Sequence, residues 1–245
     1  MKAMILAAGL GTRLRPLTDD RPKALVEVAG RTLLEIALAR LRGFGVSEVI
    51  VNAHHFADRI AEYLKANDNF GMRIELSREL ELLETGGGLK KAAHFFSDSS
   101  EPFILHNVDV ISTIDLAYMA KFHAERNALA TLAVQQRESA RQLLFDEAGL
   151  LCGRRAGSDA ENEFMHAARD VQALAFCGIH ILSPQIFTEL SEEGAFSIIA
   201  AYLRLAAQGE KIVAFRADDC SWRDLGRPES VRQAAAELDG AAFAE

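Results

Sequence analysis

No stretch of this 245-residue chain approaches the ~20 consecutive apolar residues of a membrane-spanning helix, which excludes a helical membrane protein. Cysteine is scarce. Cys152, Cys177 and Cys220 are odd in number and form no Cys-x-x-Cys pair, as expected of reduced thiols in a cytoplasmic protein rather than a disulfide framework. Basic residues are outnumbered: 27 Lys and Arg face 35 Asp and Glu, a net charge of -8, so no broad basic face is available for nucleic acid. Aromatics make up 7% with a single tryptophan, which gives little support to an aromatic cage for a quaternary ammonium. No internal repeat is visible, and no charged-then-apolar leader precedes the first strand, so export is not expected.

What is present is an alternating pattern. Strands are predicted over 2–7, 48–53, 72–76, 103–109 and 129–134, with helices over 33–44, 56–66, 85–96 and 115–126 between them. That alternation predicts an α/β fold, a Rossmann-like and mostly parallel sheet covered by helices on both faces. From residue 136 the period changes. Strands at 143–145, 150–154 and 171–182 predict a small β-rich lobe, with a polar loop over 156–163. A helix over 196–207, a strand over 211–217 and a last helix over 228–238 complete the chain. The length fits one domain, with about 1–135 as one part, about 136–227 as another and 228–245 as a terminal helix and tail.

The densest local signal is the first strand and the loop after it. Ala8, Gly9, Gly11 and Thr12 are followed by Arg13, Arg15 and Pro16, then by Pro22-Lys23. Gly9 and Gly11 let backbone N–H groups approach an anion without an intervening Cβ. The arginines offer planar forks for phosphate oxygens, and Lys23 offers a compact charge. A P-loop is excluded because no Gly-Lys pair occurs here, and a dinucleotide fingerprint is excluded because its third glycine is Leu14. The remaining reading is a polyphosphate seat.

The run from Leu6 to Pro16 with Pro22-Lys23, together with Glu84-Thr85-Gly86-Gly87-Gly88, Asn107-Val108-Asp109 and Trp222-Arg223-Asp224-Leu225-Gly226, resembles the sugar-1-phosphate nucleotidyltransferases, or NDP-sugar pyrophosphorylases. Among subfamilies it is most similar to the short bacterial N-acetylmuramate-1-phosphate uridylyltransferases and to mannose-1-phosphate guanylyltransferase-like proteins. The resemblance implies that an NTP and a sugar-1-phosphate are the substrates. It implies nucleotide contacts at Ala8, Gly9, Gly11, Thr12, Arg13, Lys23, Glu84, Gly86, Gly87 and Gly88, with Arg13, Lys23 and Asp109 catalytic. It further implies that Asp109 and Asp224 hold Mg2+, and that the part over 136–227 carries sugar contacts, at Arg155 and Gly178, to which Asn107 is added.

Two departures stand out. Val108 occupies the place of the family's usual glycine, adding β-branched bulk near the expected nucleotide, and Arg154-Arg155 stand where a Glu-Lys-Pro-like element is usual. The first substrate expectation is UTP with N-acetylmuramate-1-phosphate or a related hexose-1-phosphate. Alternatives are GTP with mannose-1-phosphate, CTP with phosphocholine, or a regulatory subunit that binds nucleotide sugar without turnover. No membrane or nucleic-acid partner is expected, and the assembly is read as a monomer or small homo-oligomer. Adjacent His54 and His55 point to opposite sides and make a poor chelate, so a turn position is the reading for both, and His106 is read as packing within its strand.

Overall fold

The computed structural model describes residues 1–156 and 162–238. The expected polar loop over 156–163 and the tail from 239 onward therefore lie largely outside the described residues. β1 (Lys2–Leu6) leads through the hairpin β2 (Glu27–Val28) and β3 (Arg31–Thr32) into α1 (Leu33–Gly43). β4 (Glu48–Ala53), α2 (Ala57–Ala66), β5 (Arg73–Arg78) and α3 (Glu84–Lys91) follow. β6 (Phe103–Asn107) runs into β7 (Val110–Ser112), α4 (Leu116–Arg126) and β8 (Ala130–Gln135). Next come β9 (Arg141–Phe145), β10 (Leu151–Ala156), β11 (Glu163–Phe164) and the long β12 (Gln172–Leu182). The chain continues through α5 (Ile186–Glu189), α6 (Ile198–Ala207), β13 (Ile212–Arg216), β14 (Trp222–Asp224) and α7 (Pro228–Leu238).

Helix boundaries follow local chemistry. Thr32 caps α1 by accepting the Glu35 N–H at 3.1 Å, and Asp115 caps α4 by accepting the Tyr118 N–H at 2.9 Å. Just beyond α1, Gly45 takes φ 76°, the left-handed turn that glycine allows at a helix end.

The expected mostly parallel sheet is present, with one correction. β5, β4, β1 and β6 are parallel, but β12 pairs antiparallel with both β6 and β8 before β13 joins β8 in parallel. β12 also pairs with β9, so the strands of the β-rich lobe extend the same ten-stranded sheet. Both faces are buried, as the side-chain alternation of β1 shows. Ala3 and Ile5 enter one apolar cluster with α1 and α4 residues, while Met4 and Leu6 enter the other with α3 and α6 residues. Among the described residues no helix is long and apolar enough to cross a membrane.

Three imidazoles lie inside this core. His123 bonds Thr131 Oγ1 at 2.8 Å and Ser183 Oγ at 2.9 Å, and His180 Nδ1 meets the Tyr202 hydroxyl at 2.9 Å. Burial pushes His106 and His123 down to about 4 and His180 to about 3, from an ordinary value of 6.5. As pH falls from 6.5 toward 4 the unfolded chain takes up protons that the folded chain refuses, so stability falls with pH through that window. A thermal-melt series should show Tm dropping between pH 6.5 and 4, with part of the drop removed in His123→Gln. A Tm independent of pH there would contradict neutral buried histidines. The same burial raises the thiols of Cys152 to about 11 and Cys177 to about 12, leaving both protonated packing groups.

Candidate functional site

The carboxyl ends of β1 and β6 open on a cavity of about 930 Å³. The glycine-rich loop contributes Ala8, Gly9 and Arg13, while Lys23 comes from the turn that follows. Asp109 does not end a strand, as the sequence pattern suggested. β6 stops at Asn107, and Asp109 lies in the turn before β7. β7 pairs antiparallel with β14, placing Val110 opposite Asp224, and the Leu225 N–H donates to the Asp109 carbonyl at 2.8 Å. This two-stranded ribbon brings together two aspartates that are remote in sequence.

Gly226 shows how closely they converge. A Cβ placed on it would lie 2.7 Å from Asp224 Oδ1, 2.8 Å from an Arg13 guanidinium nitrogen and 3.2 Å from Asp109 Oδ2. Lys23 Nζ sits 2.9 Å from Asp109 Oδ2, and Arg13 Nη1 lies 3.9 Å from Asp224 Oδ2. Two carboxylates thus face one gap with a cation beside each. Paired hard oxygen donors suit Mg2+, which keeps several waters and completes its shell with phosphate oxygens. Among the described residues no group of three or more His, Cys, Asp or Glu gathers at one point, so a metal here would take its remaining ligands from water and substrate.

The loop itself is held from behind by residues the sequence reading missed. Asn52 Oδ1, at the end of β4, accepts the N–H groups of Ala7 at 2.7 Å and Ala8 at 3.3 Å. Its Nδ2 donates to Glu79 Oε1 at 2.7 Å, and Glu79 Oε2 accepts the Leu83 N–H at 3.0 Å. Both side chains are buried. They tie the glycine-rich loop to the entry of α3, and the N–H groups of Gly9, Leu10 and Gly11 are left without an acceptor among the described residues. Asn52→Leu removes an acceptor from two buried donors, each worth about 1–3 kcal/mol when orphaned. Nucleotide KM is expected to rise at least tenfold with a lowered Tm; an unchanged KM in a folded variant would remove Asn52 from the loop's support. A buried asparagine closing an apolar strand was the available signal.

Gly11 takes φ 65°, its carbonyl accepts Leu14 N–H at 2.8 Å, and a Cβ there would sit 2.9 Å from Thr18 Cγ2, so the turn needs glycine. Gly11 and exposed Thr12 are absent from the cavity wall, and Arg15 turns toward Asp19 at 3.5 Å. At the α3 entry, Glu84 and Thr85 line the cavity, and Glu84 holds φ 58°, a backbone strain of about 1–3 kcal/mol for a non-glycine residue. Gly86, Gly87 and Gly88 are buried beneath them. A Cβ would come within 2.3 Å of the Phe196 ring at Gly86, 2.3 Å of the Gly194 carbonyl at Gly87, and 2.7 Å of Asn52 and Glu79 at Gly88. Packing therefore forbids a side chain at all three, and none of the three is among the residues lining the cavity.

On the β12 side, Asn107 and Gly178 line the cavity together. Gly178 takes φ 74°, and a Cβ there would lie 2.8 Å from Asn107 Nδ2. Arg155 lines the wall with its Nε on Asn162 Oδ1 at 2.8 Å, and Arg154 pairs with Glu163 at 2.5 Å. Arg137 was not anticipated. Its guanidinium stacks 3.7 Å over Trp222 and donates to the Phe176 carbonyl at 2.9 Å, next to the Trp222 Nε1 bond to the Cys177 carbonyl at 2.7 Å. Val108 departs from expectation too. Its side chain is buried in the apolar cluster with α1 and α4 residues, so its bulk enters the core and leaves the cleft open. His54 and His55 lie in the turn between β4 and α2, where His54 bonds the Glu79 carbonyl at 2.9 Å and His55 meets the Phe56 ring, while His106 is fully buried in its strand.

Comparison with known proteins agrees with this arrangement. The family model for nucleotidyl transferases matches residues 2–143. An N-acetylmuramate alpha-1-phosphate uridylyltransferase of Caulobacter vibrioides is 37% identical over 96% of each chain. A mannose-1-phosphate guanyltransferase of Yarrowia lipolytica is 29% identical over 94% of this chain and 61% of its own length. In three dimensions, a UDP-glucose pyrophosphorylase complexed with UDP-glucose superposes with a TM-score of 0.78 at 20% identity, over 98% of both chains, which shows the shared fold. The chain belongs to the nucleotidyl transferase family and is a sugar-1-phosphate nucleotidyltransferase.

Proposed function

We propose that the chain transfers a uridylyl group from UTP to N-acetylmuramate 1-phosphate, giving UDP-N-acetylmuramate and pyrophosphate. The observation that carries the chemistry is the gap between Asp109 and Asp224, flanked by Lys23 and Arg13 at the mouth of the glycine loop. The substrate assignment rests on the near full-length similarity to the Caulobacter uridylyltransferase.

In this reading a phosphate oxygen of the sugar substrate attacks the α-phosphorus in line. The new P–O bond forms as the bond to the β-phosphate oxygen breaks, and its electron pair leaves with pyrophosphate. No general base is needed, because a phosphate monoester with a second pKa of about 6 is already mostly dianionic at neutral pH. Lys23, held by Asp109, neutralises charge along the phosphate chain. Arg13, exposed and only loosely paired, follows the departing pyrophosphate. A Mg2+ held by Asp109 and Asp224 would neutralise the phosphate oxygens that converge there. Asn107 and Gly178 leave a place for the sugar ring, and Glu84 and Thr85 face the nucleotide.

The test is pyrophosphate release with Mg2+ across the four common triphosphates and a panel of sugar 1-phosphates. Release confined to UTP with N-acetylmuramate 1-phosphate is the expected result. A preference for GTP with mannose 1-phosphate would replace the substrate pair and keep the chemistry.

A further inference from the structure

The charge of the cavity is lopsided. Arg13, Lys23, Arg137, Arg141, Arg154 and Arg155 line it, against Glu84, Asp109 and Asp224. Two of those carboxylates already face Lys23 and Arg13, and none of the three lies on the β9–β10 hairpin. In a protein of net charge -8, that hairpin carries a concentrated positive wall.

The register makes the wall specific. Arg154 lies opposite Leu143 and Ala156 opposite Arg141, which puts Arg141 and Arg154 diagonally on one face of the ladder. Leu143 pairs with Leu174 on β12, so Arg141, two residues earlier on β9, falls toward Phe176 and the sugar strand. Glu163 engages Arg154, whereas the Arg141 guanidinium has no hydrogen bond or ion pair among the described residues. Arg141 therefore lines the cavity with no carboxylate beside it among the described residues. Neutral sugar hydroxyls are satisfied by amides and backbone groups; paired guanidinium forks match a carboxylate.

We infer that this wall is a second anion subsite, in which Arg141 and Arg154 recognise a carboxylate carried by the sugar. The inference rests on the transferase reading above and assigns two side chains to the carboxylate that separates its acceptor from neutral hexose 1-phosphates. Arg137, pinned between Trp222 and the Phe176 carbonyl, stays nearer the transfer centre, where the 1-phosphate lies.

The experiment compares kcat/KM with UTP for N-acetylmuramate 1-phosphate and for its neutral counterpart, N-acetylglucosamine 1-phosphate, in the wild type, Arg141→Met and Arg141→Lys. A charge-assisted bond is worth about a 10- to 100-fold effect. The wild type is expected to favour the acidic sugar, Arg141→Met to lower the ratio of the two values about 10- to 100-fold through KM, and Arg141→Lys to restore part of it. Arg141 is exposed, so Tm should not move. Equal use of both sugars by the wild type would overturn the carboxylate subsite and leave the transferase reading standing. An equal loss on both sugars in Arg141→Met would assign the wall to the common 1-phosphate, and no loss on either would make Arg141 a solvated side chain; both overturn the inference. Absence of turnover with every nucleotide and sugar would instead remove the transferase reading beneath it.

Discussion

Asp109→Asn is expected to lower kcat by on the order of 10³-fold in a protein that still folds, a loss of the size seen when one electrostatic stabiliser of a developing charge is removed. Asparagine keeps the shape and leaves the backbone bond to Leu225 in place, so the β7–β14 ribbon should survive. What disappears is the charge that holds Lys23 at 2.9 Å and offers a hard oxygen to a cation. Because Asp109 is buried and Lys23 nearly so, the unpaired ammonium also lowers stability, and Tm should fall by a few degrees. Steady-state pyrophosphate release with a parallel thermal melt checks both parts. Activity within tenfold of the wild type would mean that Asp109 only positions Lys23.

Gly226→Ala should be nearly as damaging and for a different reason. The added Cβ lands in the gap itself, against Asp224 Oδ1, the Arg13 guanidinium and Asp109 Oδ2. Arg13 can swing away because it is exposed, but Asp224 also accepts the Gly226 N–H at 2.7 Å and must rotate off it or lose its aim at the gap. The backbone of Gly226 is not left-handed, so alanine fits the chain and Tm should shift by less than about 4 °C. A kcat drop of about 10²-fold with the fold intact is the expected pattern, since a misplacement near 1 Å at a reacting centre costs that much. Full activity in Gly226→Ala would show that the gap is not where phosphate and metal meet.

The sequence made some of this legible and not the rest, and the division has physical causes. β1 and its loop were readable because the buried strand, the glycines and the cations are contiguous. The helices α1, α2 and α4 were readable from apolar spacing, and the structure adds the caps at Thr32 and Asp115. The antiparallel course of β12 was hidden, since a strand buried on both faces reads the same in either direction. β7 and β14 are three residues each, too short for a periodic signal, yet they set the relation between Asp109 and Asp224. Glycine is ambiguous in the same way. Gly86, Gly87 and Gly88 read as room for a ligand, and the structure adds a packing constraint that spacing does not reveal, with Phe196, Gly194, Asn52 and Glu79 pressed against them. Val108 was read as bulk in the cleft, and only the strand's orientation sends it into the core.

The proposed positioning mechanism, in which the sugar phosphate oxygen attacks the α-phosphorus directly, requires transfer in a single displacement. The measurement that tests this most directly is the stereochemical course at the α-phosphorus, followed with a chiral α-thio triphosphate and the preferred sugar 1-phosphate. In-line attack in the crevice between Asp109 and Asp224 gives inversion of configuration. Retention would require two displacements through a nucleotidylated side chain, and would contradict the positioning mechanism at its centre.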